Sequence, residues 1–309
     1  MAAYAWLGLS LFLLLSVVLI PLTGEYCAAV LSGRRVPLFY FMRPIEVWIY
    51  RAAGIDRTGD GESGEMDWKE YAFSVFSFSI AGILLVTLLQ RAQQGLPLHP
   101  QVAGPAPWLV SINSAISYVA NANWHPYSGQ TTLIYLAQVL SHALLNFAGA
   151  AVAIAVVAAL ARGLARRQSS KVGNFWGDLV RVTLYVLLPV SVIVAILLIG
   201  QGAVQGAFKQ SGTGGGIFGM YGANPFGNFM QYVRMLIMPA SVVYSFGVLI
   251  NKRLHCAALL AAMFFIFMFG MGFNSRPAAK GHADYRRISA HVPAGVRAAE
   301  FHRRLPFTE

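Results

Sequence analysis

Long apolar stretches alternate with shorter polar ones along most of this 309-residue chain. A run of about twenty apolar residues is long enough to cross a bilayer as a helix. The pattern therefore predicts six spans, which lie at about Tyr4 to Leu22, Tyr71 to Leu89, Thr131 to Leu160, Leu179 to Ile199, Phe229 to Ile250 and Leu254 to Phe273. The first run has neither a basic start nor a small-residue cleavage site, so we expect a retained helix instead of a signal peptide.

A shorter apolar segment, Trp108 to Val119, interrupts this series. A dozen residues cannot cross a bilayer, so we expect a half-helix that re-enters the membrane. It leads into the polar stretch SYVANANWHPYSG, residues 117–129, and the glycine-rich stretch SGTGGGIFGMYGANPFGN, residues 211–228, follows the fourth span. The order span, polar loop, span therefore occurs twice, which indicates an internal repeat.

Composition and charge agree with a membrane protein. The chain is 57% hydrophobic and 11% charged, whereas soluble proteins carry about 25% charged residues. Basic residues cluster in the segments 23–70, 161–178 and 251–253, and the positive-inside rule predicts that these segments are cytoplasmic. Both polar loops then open to the opposite side. We read these basic loops as a signal of topology and expect no nucleic-acid partner; the basic tail, residues 274–309, disagrees with this topology because it would lie outside.

The two polar loops suggest cation chemistry. Non-helical backbone at membrane depth is tolerated only where it is buried in protein or lines a water-filled cavity. Its carbonyl oxygens, pointed inward, can replace the water shell of a cation, as they do in potassium filters. Each loop taken alone is equally compatible with an ordinary external turn, because Asn and Gly are common turn residues. Their equivalent places in a repeat favour ion coordination.

Five motifs carry a resemblance to a known family. They are MDWKEY (66–71), LPLHPQ (96–101), NSAISYVANANWHPYSGQTTLIYLAQ (113–138), NFWGDLVRVTLYVLLP (174–189) and GGGIFGMYGANPFGN (214–228). In this order, across about residues 1 to 273, the sequence resembles the channel-like A subunit of the Kdp-type potassium-transporting P-type ATPase.

The resemblance implies an all-α integral membrane protein of the bacterial inner membrane. The family has one leading helix and four span–pore loop–span repeats, whose loops form one potassium-channel-like filter. It also implies potassium as the bound ion and, as partners, an ATP-hydrolysing B subunit, accessory subunits and membrane lipid. This chain contains no nucleotide-binding GK[ST] motif, so we expect a non-catalytic transport subunit.

The resemblance also assigns filter residues, without a catalytic residue or another metal. The family's first filter motif, Thr-Asn-Thr-Asn-Trp, falls on residues 120–124, and its second, Thr-Asn-Gly-Gly-Gly, falls on residues 212–216. The implied potassium ligands are Asn121, Ala122, Asn123, Gly212, Thr213 and Gly214. The implied supporting residues are Ala120, Trp124, Gly215 and Gly216. Alanine replaces both threonines of the first motif, so we expect a weaker preference for potassium.

The domain organisation follows from these assignments. We expect a leading helix (1–22), a cytoplasmic loop (23–70), a first repeat (71–160), a basic cytoplasmic loop (161–178), a second repeat (179–250), the first span of a truncated third repeat (254–273) and a disordered tail outside the family (274–309). Because repeats three and four are absent, an alternative is a truncated or frameshifted, non-functional membrane fragment. An intramembrane enzyme is disfavoured, because the spans contain no pair of titratable residues.

Overall fold

A computed structural model describes residues 2–55, 64–96, 106–122, 133–166, 170–200 and 225–270. The helices are α1 (Ala2–Leu31), α2 (Phe39–Ala53), α3 (Trp68–Arg91), α4 (Trp108–Val119), α5 (Tyr135–Ala165), α6 (Phe175–Arg181), α7 (Leu188–Gly200), α8 (Pro225–Leu249) and α9 (Arg253–Gly270). A 3₁₀ turn (Gln93–Gly95) follows α3, and a π-helical segment (Val182–Leu187) joins α6 to α7. Two short strands, β1 (Met66–Asp67) and β2 (Lys171–Gly173), pair antiparallel.

Six helices of the described residues are long and apolar enough to cross a membrane. Five of the spans lie within α1, α3, α5, α8 and α9. The remaining span is continuous from α6 through the π segment into α7. This confirms a mostly helical integral membrane protein. α4 has twelve residues with the bounds that the sequence predicts, and it is too short to cross.

The segment between the first two spans differs from the polar loop that we expected. α1 continues to Leu31, nine residues beyond the predicted end at Leu22. The hydroxyl of Thr23 donates to the carbonyl of Leu19, so this polar residue is satisfied without ending the helix. A second helix, α2, then occupies much of the segment. Its inner face is buried in the protein, and it therefore takes part in the fold.

A buried ion pair joins the ends of several elements. The guanidinium of Arg162, near the end of α5, contacts both oxygens of Asp178 in α6 at 2.6 and 2.8 Å. It also donates to the carbonyls of Leu31, the last residue of α1, and Val172 in β2. The hydroxyl of Tyr71 in α3 donates to the same carboxylate at 3.3 Å. One end of α1, α3, α5 and α6 is therefore held at a common level, which we call the ion-pair end.

α1 and α8 pack closely along their length. The hydroxyls of Thr23 and Ser241 are hydrogen-bonded to each other. A side chain on Gly24 would collide with the ring of Tyr244, so glycine is needed for the two helices to approach. Small residues at such contacts are typical of helix packing in membranes.

The chain divides into two compact units, Met1–Cys256 and Ala257–Glu309. The second contains the described part of α9 after Cys256, whose large apolar side chains are exposed, as expected for a helix surrounded by lipid. The tail predicted at 274–309 lies outside the described residues.

Candidate functional site

α4 returns along the helix that precedes it. The guanidinium of Arg91, the last residue of α3, donates to the carbonyl of Ala106 at 2.7 Å and lies 4.6 Å from the ring centroid of Trp108. The start of α4 therefore lies beside the end of α3. Further along α4, Ala115 and Tyr118 pack against Val86, one turn further back in α3. α4 thus runs antiparallel to α3 and back into the bundle, as a re-entrant helix does.

The end of α4 has a specific backbone geometry. The amide of Asn121 donates to the carbonyl of Tyr118, and the amide of Ala122 donates to the carbonyl of Ser117. Asn121 has a φ of 57°, in the left-handed region. These features define a Schellman motif, which closes a helix and turns the chain away from its axis. Asn suits this position because it tolerates left-handed φ better than most side chains do.

Gly149 in α5 receives the end of α4. A Cβ atom at this position would lie 3.0 Å from the carbonyl oxygen of Tyr118 and 3.5 Å from that of Val119. Gly149 lies 14 residues from Tyr135 and 16 from Ala165, the two ends of α5. At a rise of about 1.5 Å per residue, those distances are about 21 and 24 Å. The helical backbone of α4 therefore ends near the middle of α5, away from both ends.

α4 presents a polar face to the protein. Ser111 and Ser114 are fully buried and Ser117 is 8% exposed, and their spacing of three residues places them on one side of the helix. Ser114 contacts the side-chain oxygen of Gln90 in α3 at 3.0 Å. Among the described residues, the Ser111 hydroxyl, the Gln90 side-chain nitrogen and the hydroxyl of Thr87 are buried without a hydrogen-bond partner. The interface between α3 and α4 therefore contains a cluster of buried polar groups.

Comparison with known proteins identifies the family. A family model described as potassium-transporting ATPase A subunit matches residues 10–211 and 203–294. The chain belongs to the potassium-transporting ATPase A subunit family. With six candidate spans, it is a multi-pass protein of the bacterial inner membrane.

Three relatives illustrate the extent of the similarity, and each is named potassium-transporting ATPase potassium-binding subunit. The protein of Pseudomonas aeruginosa is 35% identical over 296 positions, which cover 85% of this chain and 52% of the relative. The protein of Methylibium petroleiphilum is 38% identical over 333 positions, which cover 96% of this chain and 57% of the relative. The protein of Sorangium cellulosum is 37% identical over 286 positions, which cover 79% of this chain and 48% of the relative.

This chain spans about half the length of the curated relatives that it matches. The alignment with the Methylibium petroleiphilum protein has more positions than this chain has residues, so the relative carries residues within the matched part that this chain lacks. We expected the family resemblance to end near Phe273. The family match instead extends to residue 294.

The structure describes three of the ten residues that the family resemblance assigns to the filter. Ala120, Asn121 and Ala122 all lie in the motif that ends α4. The other seven, Asn123, Trp124, Gly212, Thr213, Gly214, Gly215 and Gly216, lie outside the described residues. Gly149 was missed, because a glycine within an apolar helix gives no sequence signal until its neighbour is known.

The left-handed turn at Asn121 leads to a stability prediction. We expect Asn121→Ala to destabilise the protein by about 1–2 kcal/mol, because alanine is strained at this φ, and Asn121→Gly to retain most of the stability. Unfolding in detergent micelles with increasing denaturant measures both.

Asn251 provides a matched control for this prediction. It has the same φ of 57° after α8, where Asn251 and Lys252 donate to Val248 and Gly247 in the same pattern. Asn251→Ala should therefore lower the stability by a similar amount, whereas Asn251→Gly should retain most of it. If Asn121→Gly destabilises as much as Asn121→Ala, the side chain of Asn121 matters more than its φ.

Proposed function

We propose that this chain is the potassium-binding and translocating subunit of an ATP-driven potassium uptake complex, and that backbone carbonyls after α4 bind the ion. The observation that carries the proposal is the place where α4 ends. Its last turn lies against Gly149, near the middle of α5, and the chain leaves the helix there as irregular backbone. Such backbone at membrane depth is expected only next to protein or a water-filled cavity.

The end of α4 is favourable for a cation. The carbonyl end of a helix carries a partial negative charge. The Schellman motif uses the carbonyls of Ser117 and Tyr118, whereas those of Val119 and Ala120 accept no hydrogen bond from the described backbone. Carbonyls of this kind, together with those of Asn121, Ala122 and Asn123, are suitable ligands for a dehydrated potassium ion.

The second loop would complete this part of the filter. In our proposal Gly212, Thr213 and Gly214 supply further carbonyls, and Gly215 and Gly216 allow the backbone conformations that the loop needs. Trp124 would support the first loop from behind. A full ring takes carbonyls from four loops, so in our proposal these two loops supply part of the filter and two further loops supply the rest.

The energy for uptake would come from partners. Relatives of this chain are potassium-binding subunits of an ATPase. We infer that an ATP-hydrolysing B subunit and accessory subunits assemble with this chain, which itself binds the ion and has no catalytic role.

Potassium dependence tests the proposal directly. Thermal unfolding of the chain, purified together with the subunits that assemble with it, should occur at a higher temperature in KCl than in NaCl at equal ionic strength, because a ligand that binds the native state stabilises it. The double variant Ala120→Thr, Ala122→Thr should enlarge this difference, since it restores two hydroxyls of the family motif. The same change at two exposed alanines of α2, Ala52→Thr with Ala53→Thr, should leave the difference unaltered.

Assembly gives a second measurement. Co-expression with the P-type ATPase subunit of the same source should yield a complex whose ATP hydrolysis is stimulated by potassium. Equal unfolding temperatures in both salts for the wild type and the threonine variant, together with no co-purification, would contradict the proposal. That outcome would favour a membrane fragment without transport function.

A further inference from the structure

α2 carries an exposed apolar face that the fold does not explain. It has 15 residues, two of them arginines, and is too short to cross a bilayer. Tyr40, Phe41, Ile45 and Trp48 are 77%, 80%, 44% and 70% exposed. At about 100° per residue they cluster on one side of the helix, and we call these four residues the α2 outer face.

The opposite side of α2 is fixed to the protein at the ion-pair end. The hydroxyl of Tyr50 donates to the Glu46 carboxylate, which also accepts hydrogen bonds from Tyr185 at 2.7 Å and Arg181 at 3.0 Å. Burial raises the pKa of Glu46, but the hydrogen bonds from Tyr185, Arg181 and Tyr50 and the charge of Arg181 outweigh it, so the pKa lies below its ordinary value. The only acidic side chain of α2 is therefore ionised and directed inward.

These contacts set the depth of α2. Arg181 is the last residue of α6, and Tyr185 lies four residues beyond it in the same span. Because Arg181 lies six residues after the start of α6, its backbone is about 9 Å from the start of the span. Amphipathic helices that lie at a membrane surface bury their apolar face by about 5–10 Å. Measured from the start of this candidate span, the contact with Arg181 places α2 within the depth expected of an interfacial helix.

Positive charge borders the α2 outer face. Arg43 and Arg51 are exposed and lie about 80° apart around the helix, on either side of Tyr40 at one margin of the α2 outer face. Arg34 and Arg35, just before α2, are exposed as well. In the part of the chain that the structure describes, none of these four guanidinium groups forms an ion pair. The outward charge of this region is therefore positive.

We propose that α2 is an interfacial helix that binds anionic phospholipid. The α2 outer face lies against acyl chains, and Arg43 and Arg51 contact the phosphate groups of the same leaflet. Trp, Tyr and Arg are the residues expected at this depth, because each has an apolar body and a polar end. Juxtamembrane basic residues are attracted to anionic lipid surfaces. The inference does not depend on potassium binding.

Spin labels test the apolar contact. The full chain, with Cys27→Ala and Cys256→Ala, would carry a label at Phe41→Cys, Ile45→Cys or Trp48→Cys in nanodiscs of phosphatidylcholine and phosphatidylglycerol. Power saturation should show each label more accessible to oxygen, which concentrates in lipid, than to a water-soluble nickel complex. A label at Arg35→Cys, in the exposed turn before α2, should show the reverse order.

Lipid retention tests the charge contact. Native mass spectrometry of the detergent-purified chain should show more phosphatidylglycerol than phosphatidylcholine retained from an equimolar mixture. Arg43→Gln and Arg51→Gln should each reduce this preference by about fivefold. A control that removes two charges at the junction of α8 and α9, Lys252→Gln with Arg253→Gln, should leave it within about twofold of the wild type.

Three outcomes would overturn the proposal. Labels on α2 that are more accessible to the nickel complex would place its outer face in water. Equal retention of the two lipids by the wild type, or no response to the arginine variants, would exclude selection by charge. Labels that lose access to both reagents only when the ATPase subunit is added would assign the face to a protein partner.

Discussion

Replacement of Arg162 by leucine is expected to lower the free energy of unfolding by about 3–5 kcal/mol, because it leaves a buried carboxylate without its cation. The side chains of Arg162 and Asp178 are only 14% and 2% exposed. After the change, Asp178 would keep the hydrogen bond from Tyr71, and the carbonyls of Leu31 and Val172 would lose their guanidinium donor. Denaturant titration in mixed micelles measures the loss.

Arg166→Leu is the matched control for Arg162→Leu. Arg166 follows one turn later and pairs with Glu65 at 2.7 Å, but these side chains are 41% and 22% exposed. Exposed pairs contribute about 1 kcal/mol or less, so this variant should remain close to wild type. Similar stability losses for the two variants would show that burial of the Arg162 pair has no special role.

Gly149→Val is expected to destabilise the protein by about 1–3 kcal/mol through overpacking and to displace the end of α4. The new side chain would meet the carbonyl oxygens of Tyr118 and Val119 and the Cβ of Asn121, and none of these atoms can move away by a change of rotamer. The shift would move Asn121 and Ala122, two of the proposed ligands of the first filter loop. We therefore expect the stabilisation by KCl over NaCl to disappear in this variant.

Two alanine substitutions in α5 separate the contact from the general effect of losing a glycine. Alanine is better than glycine in a helix by about 1 kcal/mol. Gly163→Ala should show that gain, because its Cβ would be 3.7 Å from Val172, an ordinary contact. Gly149→Ala should show no gain and a reduced potassium effect. An equal gain at both positions would contradict a close contact between α5 and the end of α4.

Sequence pattern predicted the spans and α4 well, because helix formation in a membrane depends mainly on the length of an apolar run. The same rule failed between Thr23 and Ala53. There Glu46 and four arginines interrupt the apolar runs, whereas the structure satisfies Glu46 inside the protein and leaves the arginines exposed. A carboxylate neutralised by Arg181, 135 residues away, cannot be recognised from local composition.

The candidate site was predictable only in part. Asn121 and Ala122 follow from the family motif, and the half-helix before them follows from its length. The contact of α4 with Gly149 depends on two segments that meet in space. The pairing of β1 with β2 escaped prediction for the same reason, since it joins residues about 100 positions apart.

The close packing of α1 against α8 affects how the protein is made. Thr23 and its partner Ser241 are separated by 218 positions in the chain. A ribosome that adds about 5–20 residues per second needs roughly 10–40 s to cover that distance. During this interval α1 is already synthesised, while Gly24 and Thr23 still face lipid or the insertion machinery instead of α8. Assembly of this helix pair therefore waits for the synthesis of α8, long after α1 has emerged.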